Sequence, residues 1–322
     1  MAPLSWRIAV TALFALGAAL PACAKTRFAS ITFENDFFAG YDRHYTNGLQ
    51  LAFLAELADV PAALRASRPL AWSAEPEAVV AIGQRIYTPS DTDITVPDPR
   101  DRPYAGWLYA MTDVRTRIAP TIDHLTLVAG VVGPASLARQ MQDGVHRLLH
   151  EPLSKGWDYQ VRTRPTFMVG YERAWPGVLE APVGHDRMDL ALRAGAALGT
   201  PFTYADAGAV LRYGRNLPAD IPATHLSLGP PRDGFRGTRA FGWYLWAGVE
   251  ARAIGYNTFI QGSTFRQAPD VNLEHFGYDA QVGVTLAWPE ARVGFSLVQR
   301  SKEFDRQQGD DRYGQLAVSF AY

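Results

Sequence analysis

The densest group of chemistry-bearing residues reads Phe33-Glu34-Asn35-Asp36-Phe37-Phe38, then Tyr41-Asp42-Arg43-His44-Tyr45-Thr46-Asn47-Gly48. Carboxylates, a carboxamide and a hydroxyl packed this closely are oxygen donors for a hard cation, or hydrogen-bond donors and acceptors for a polar reaction. The plain alternative is a polar hairpin tip in which Asn, Asp and Gly simply make the turn. A second group lies at Ala135 to His150, where Leu137, Met141, Val145, Leu148 and Leu149 recur at helical spacing. His146 stands at the edge of that stripe, one turn beyond Gln142, and Glu151 follows. An imidazole with an unperturbed pKa near 6.5 suits general-base work. A lone histidine on an amphipathic loop helix is more often a surface residue. A third segment, Asp98-Pro99-Arg100-Asp101-Arg102-Pro103-Tyr104-Ala105-Gly106-Trp107, carries Arg100 and Arg102, which could bind phosphates of a lipid head group or simply pair with neighbours such as Asp101. No serine sits in a Gly-x-Ser-x-Gly setting, so a nucleophile-elbow hydrolase is not indicated.

These groups need a scaffold, and the chain supplies strands almost everywhere. Leu49, Leu51 and Phe53 alternate with Gln50 and Ala52, and Val282, Val284, Leu286 and Trp288 with Gln281, Gly283 and Thr285. The pattern is weaker at Leu125 and Leu127, because Val128 interrupts it. At the C-terminus Gly314, Leu316, Val318, Phe320 and Tyr322 share one parity, a greasy face on a final aromatic strand, as outer-membrane barrels have. The alternation predicts twelve strands, near 28–36, 45–57, 79–88, 104–117, 123–133, 160–175, 187–199, 203–216, 242–255, 276–288, 290–301 and 313–322. The fold expected is all-β, an antiparallel transmembrane β-barrel with a short helix in an extracellular loop.

An even count with both termini in the periplasm puts 37–44, 89–103, 134–159, 256–275 and 302–312 at the cell exterior. The three chemical groups then share one rim. Strict alternation points Asp36 and Thr46 into the barrel and Asn35 toward lipid, so Asn35 can serve a site only where the strand bulges or ends.

Composition agrees. Thirty-one Lys and Arg against 32 Asp and Glu leave a net charge of -1, which excludes electrostatically driven nucleic-acid binding. With 12% aromatic and 20% charged residues the chain can bury enough apolar surface to fold. Arg7, the apolar run Ile8 to Leu20 and Ala22-Cys23-Ala24 read as a signal peptide, residues 1–24, leaving one barrel domain over 25–322 without cysteine. A lipoprotein cut placing a lipid on Cys23 is the competing reading.

Glu34-Asn35-Asp36, Asp42-Arg43 with Tyr45-Thr46-Asn47-Gly48, Asp101 to Gly106, and Gly133-Pro134 with Gln142, His146, Gly156-Trp157 and Gln160 occur in an order that resembles the outer-membrane lipid A 3'-O-deacylase (LpxR-type) family. The resemblance is strongest over residues 28–160. It implies a twelve-stranded barrel in the bacterial outer membrane, Ca2+ dependence, and hydrolysis of the 3' acyloxyacyl ester of lipid A in lipopolysaccharide. Asn35, Asp36, Thr46 and His146 match the family's active-site positions. Two departures stand out. Glu151 lies one position before the family's acidic residue, with Pro152 in its place, and Asp91 to Ile94 replace a basic pair found in some members. The expected assignment is His146, Asn35, Asp36 and Thr46 as catalytic, Asp36 and Glu151 as calcium ligands, and Arg100, Arg102 and Gln142 as substrate contacts. The protein is expected to be a monomer that binds no nucleic acid. A phospholipase-type barrel esterase and a passive porin are the alternatives.

Overall fold

The computed structural model describes residues 28–40, 44–56, 77–218, 240–262 and 271–321. The expected signal peptide, Asp42, Arg43 and most of the long periplasmic connections lie outside them. Twelve strands run β1 (Phe28–Asn35), β2 (His44–Glu56), β3 (Glu77–Thr88), β4 (Ala105–Ile118), β5 (Thr121–Val132), β6 (Arg164–Val183), β7 (Asp186–Gly199), β8 (Phe202–Arg215), β9 (Gly242–Asn257), β10 (Phe276–Ala287), β11 (Ala291–Arg300) and β12 (Asp311–Phe320). Each pairs antiparallel with its sequence neighbours, and β1 pairs with β12 to close the barrel. Closure leaves no strand edge, the condition for crossing hydrocarbon with strands. No described helix is long and apolar enough to span a membrane.

Alternation decides which side of the wall each residue faces. Along β6, Phe167, Val169 and Tyr171 are exposed while Thr166, Met168 and Glu172 are buried. Val128 does not interrupt β5: Leu127 faces out and Val128 faces in, because this barrel's interior accepts apolar side chains beside polar ones. Two strand limits move. β6 begins at Arg164, since Trp157–Tyr159 is a 3-10 turn of the preceding loop, and it runs past Trp175-Pro176-Gly177 to Val183 through a register shift between Trp175 and Leu179. A bulge tolerates the proline that would otherwise end the ladder.

The lumen is filled. Arg193 bonds Glu250, Arg252 and Arg300 both hold Asp279, and Arg212 holds Asp189, all buried. Toward the outer mouth an aromatic layer replaces them: Phe259 of the short helix α2 (Thr258–Gln261) stacks on Tyr87 with ring centroids 4.4 Å apart and packs against Phe202 and Trp107. A wide water-filled passage of the porin kind does not fit this packing.

Candidate active site

The site elements gather on the outward face of the wall, at the ends of β1 to β4 farthest from the chain termini. Tyr45 faces the lumen, where its hydroxyl donates to Glu34 and its ring packs on Tyr313. Gly48 and Gln50 also face the lumen: a Cβ on Gly48 would strike Glu34, and Gln50 accepts from Tyr109 at 3.0 Å. An odd and an even residue on one face require an extra residue between them, and the pairing of β2 with β3 shifts between Tyr45 and Asn47. Thr46 is that residue. It turns outward, where its Oγ1 lies 2.8 Å from that of Thr88, both buried. The expectation that Thr46 points inward is therefore corrected, the bulge having inverted the parity.

Asn35 is the last residue of β1, on the outward parity. Its Oδ1 accepts the Phe37 N–H at 2.8 Å and caps the 3-10 helix Asp36–Ala39. The carboxamide NH2 remains as a donor. Asp36 opens that helix and is buried. The inward direction expected for it from alternation does not apply, because the strand has ended. Phe38 of the same turn packs across the outward face of β12 and β11, on Gly314 and Phe295.

The loop helix α1 (Ala138–Leu149) follows a 3-10 turn Pro134–Ser136. A Cβ built on Gly106 of β4 would lie 2.1 Å from the Ala138 Cβ and 2.2 Å from the Ser136 Oγ. Trp107 beside it faces the lumen, so Gly106 faces out, and α1 is seated against the outer wall. Gln84 of β3 donates to the Ser136 carbonyl at 2.6 Å. Under the helix Ile86, Tyr104, Ala138 and Trp157 form a small apolar core outside the barrel, and Trp157 donates from its indole to Gln142 at 2.8 Å. The buried side of α1 is thus Ala138 and Gln142, with half-buried His146 one turn on. The apolar stripe faces away: Leu137, Met141, Val145 and Leu148 are exposed, Leu148 to 78%. In an aqueous setting that inverts the usual amphipathic arrangement, whereas beside a lipid-facing wall it is the expected one.

His146 Nδ1 lies 2.5 Å from the Pro152 carbonyl oxygen. A carbonyl only accepts, so Nδ1 carries a proton, and in the neutral ring Nε2 presents the lone pair. The Glu151 amide closes the turn by donating to the His146 carbonyl at 2.8 Å, while the Glu151 side chain is exposed.

Of the expected substrate contacts, Arg100 is exposed and chelates the neighbouring Asp98. Arg102 is fully buried, 3.0 Å from Glu303 and stacked over the Tyr87 ring. The motif reading missed His44, buried at φ +64 between Asp311 (2.7 Å) and Asp101 (3.4 Å). Burial pushes the Asp101 carboxyl up, but hydrogen bonds from His44 and from the Ser90 hydroxyl and amide outweigh it and hold the group well below the ordinary carboxylate range. No pattern in the sequence marks that cluster, since its members are 57 and 210 positions apart along the chain.

Whether the corner fits calcium turns on its donors. Asp36, the Thr46 and Thr88 hydroxyls and backbone carbonyls are all oxygen, which suits a hard cation. No three His, Cys, Asp or Glu side chains gather into a metal cluster among the described residues, so neutral oxygens would have to complete the shell.

A family model described as outer membrane protein LpxR matches residues 8–322. Among solved structures the chain is similar to LpxR from Salmonella typhimurium at 21% identity and a TM-score of 0.76, over 92% of this chain and 100% of that one. It is also similar to the beta domain of the Bordetella autotransporter BrkA, at 9% identity and a TM-score of 0.44, over 92% and 99% of the two chains. No curated relative matches the sequence.

Proposed function

Because this chain belongs to the outer membrane protein LpxR family, we propose that it is a lipid A 3'-O-deacylase that hydrolyses the 3' acyloxyacyl ester by water attack. One observation carries the reading: an imidazole whose tautomer is set by the Pro152 carbonyl sits on a helix seated on the lipid side of the wall.

Reach supports convergence with the first hairpin. The pairings Asn35 with Asn47, Asn47 with Ile86, and Ile86 with Gly106 form one row across β1 to β4. Three interstrand steps at about 4.8 Å separate Asn35 from Gly106 by roughly 14 Å. His146 lies eight residues beyond Ala138, which rests on Gly106, or about 12 Å along the helix. A helix crossing the strands thus spans the gap from β4 to β1.

In the proposed mechanism His146 Nε2 takes the proton from water as its oxygen attacks the ester carbonyl, and later returns it to the departing group. The Asn35 carboxamide NH2 and the Thr46 hydroxyl donate to the carbonyl oxygen as it gains charge. Asp36, with Glu151 and carbonyl oxygens, would hold Ca2+. The ion when bound supplies Lewis-acid polarisation. Arg100, exposed at the rim, would meet the head group, whereas Gln142, buried and bonded to Trp157, would act on it only by seating α1. The filled lumen argues against the porin alternative.

The test is mass spectrometry of lipid A from cells expressing the wild type and His146→Ala, with and without a calcium chelator. Loss of an acyl chain only with wild type and free calcium supports the reading. Unchanged acylation with wild type overturns it, and preferential hydrolysis of glycerophospholipid in a parallel assay would favour the phospholipase alternative.

A further inference from the structure

A groove of about 430 Å3 lies on the wall across β4, β5 and β6, with Leu198 of β7 at its side. Its size falls within the range of small-molecule sites. The floor is made of small outward residues, Ala110 and Thr112 on β4 and Ala129 on β5, and the walls of larger ones, Leu127, Phe167 and Leu198. Phe167 and Leu198 are among the most exposed apolar side chains of the barrel, at 63% and 66%. The register shows why a hollow forms: Ala110 pairs with Ala129 and Ala129 with Phe167, so two methyl groups lie side by side next to an aromatic ring. Every lining side chain with outward parity meets acyl chains in the outer leaflet, and the occupant is accordingly a hydrocarbon.

The groove also lies below the seat of α1. Gly106, Leu108, Ala110 and Thr112 form one outward row of β4, and α1 rests on the first of them. Ala110 is four residues farther down the wall, about 14 Å at strand rise. Asn35 is three strands, roughly 14 Å, across the wall from this row, so with the cleaved ester held between Asn35 and His146 the hollow would receive a neighbouring tail of the same lipid.

We propose that the groove is an acyl-chain subsite that seats one hydrocarbon tail of lipid A while its head group occupies the rim. This inference rests on the reading of lipid A as substrate. It assigns to Ala110 and Ala129 a binding role: their small size keeps the subsite open, and bulk there displaces the tail.

The experiment uses the full barrel in detergent carrying His146→Ala, so that lipid is not consumed, with hexa-acylated lipid A as the probe and native mass spectrometry as the readout. Ala110→Phe with Ala129→Phe should lower lipid A retention about tenfold or more, the equivalent of two methylenes returned to water. Ala251→Phe, an exposed position on β9, should leave retention unchanged. Thermal melting by circular dichroism checks that each variant is folded. Unchanged retention in the folded groove variant, an equal loss in the β9 variant, or an equal groove-dependent retention of phosphatidylethanolamine would each overturn the assignment. If the groove variant fails to fold, Ala129→Leu alone, with a smaller loss expected, replaces it. Failure of the deacylase reading looks different: wild type would retain lipid A through the groove and release no acyl chain.

Discussion

Adding one carbon at Gly106 tests whether the seating of α1 positions the chemistry. In Gly106→Ala the new Cβ would stand 2.1 Å from the Ala138 Cβ and 2.2 Å from the Ser136 Oγ. Nonbonded carbons settle at about 3.5–4.0 Å, so the helix must withdraw from β4 by roughly 1.5 Å. The wall cannot yield in its place, because Gly106 is held between β3 and the Gly133 amide, which donates to its carbonyl at 3.0 Å. A misplacement of about 1 Å at a reacting group can cost on the order of 100-fold in rate. Turnover on lipid A should therefore fall about 100-fold. Overpacking costs typically ~1–3 kcal/mol, which a closed barrel of twelve strands should survive folded. The assay is release of the acyl chain from purified lipid A in mixed micelles, with melting followed by circular dichroism. Gly106→Ala combined with Ala138→Gly, which removes the nearer obstacle, should recover part of the rate. Activity of Gly106→Ala within threefold of wild type would refute the reasoning, since His146 would then not depend on where α1 rests.

Replacement of His146 by Ala should lower turnover by about 100-fold to 10,000-fold, read from acyl release, with an unchanged melting curve because the residue is half-exposed. Asp36→Asn should raise the calcium concentration needed for half-maximal activity, measured by titration after chelation, and a variant with wild-type calcium response would remove Asp36 from the metal site. Arg102→Met leaves the buried Glu303 without its 3.0 Å partner and should cost about 3–5 kcal/mol, seen as a lower denaturation midpoint; a variant that melts normally but loses lipid binding would return Arg102 to the substrate. Asp101, whose carboxyl is held below the usual value, contributes stability that is fully present above the unfolded pKa of about 3.9 and is lost as pH falls through the folded value. Proteolysis of the loop 89–104 should therefore accelerate only at pH below about 4, and Asp101→Asn should flatten that dependence.

Period-two alternation was enough to read the barrel, its twelve strands and most of their limits, because a wall with lipid on one side and a packed lumen on the other imposes opposite demands on successive side chains. The spacing of Leu137, Met141 and Val145 likewise revealed α1, and the motif order its family. What the chain alone could not decide was the side of the wall on which the chemistry stands. One bulged residue at Thr46 inverts the parity on which that inference depends and the end of β1 at Asn35 releases Asp36 from it, and both are settled by pairing with other strands, Tyr45 with Tyr87 and Asn35 with Gly314. The apolar stripe of α1 reads identically whether it meets a core or a lipid. Only the contact of Ala138 with Gly106, two positions 32 residues apart, places the helix outside the barrel and turns the stripe away. The Asp101, His44 and Asp311 cluster was invisible for the same reason: buried charges find partners through the closure of the sheet, and closure leaves no local mark on a sequence.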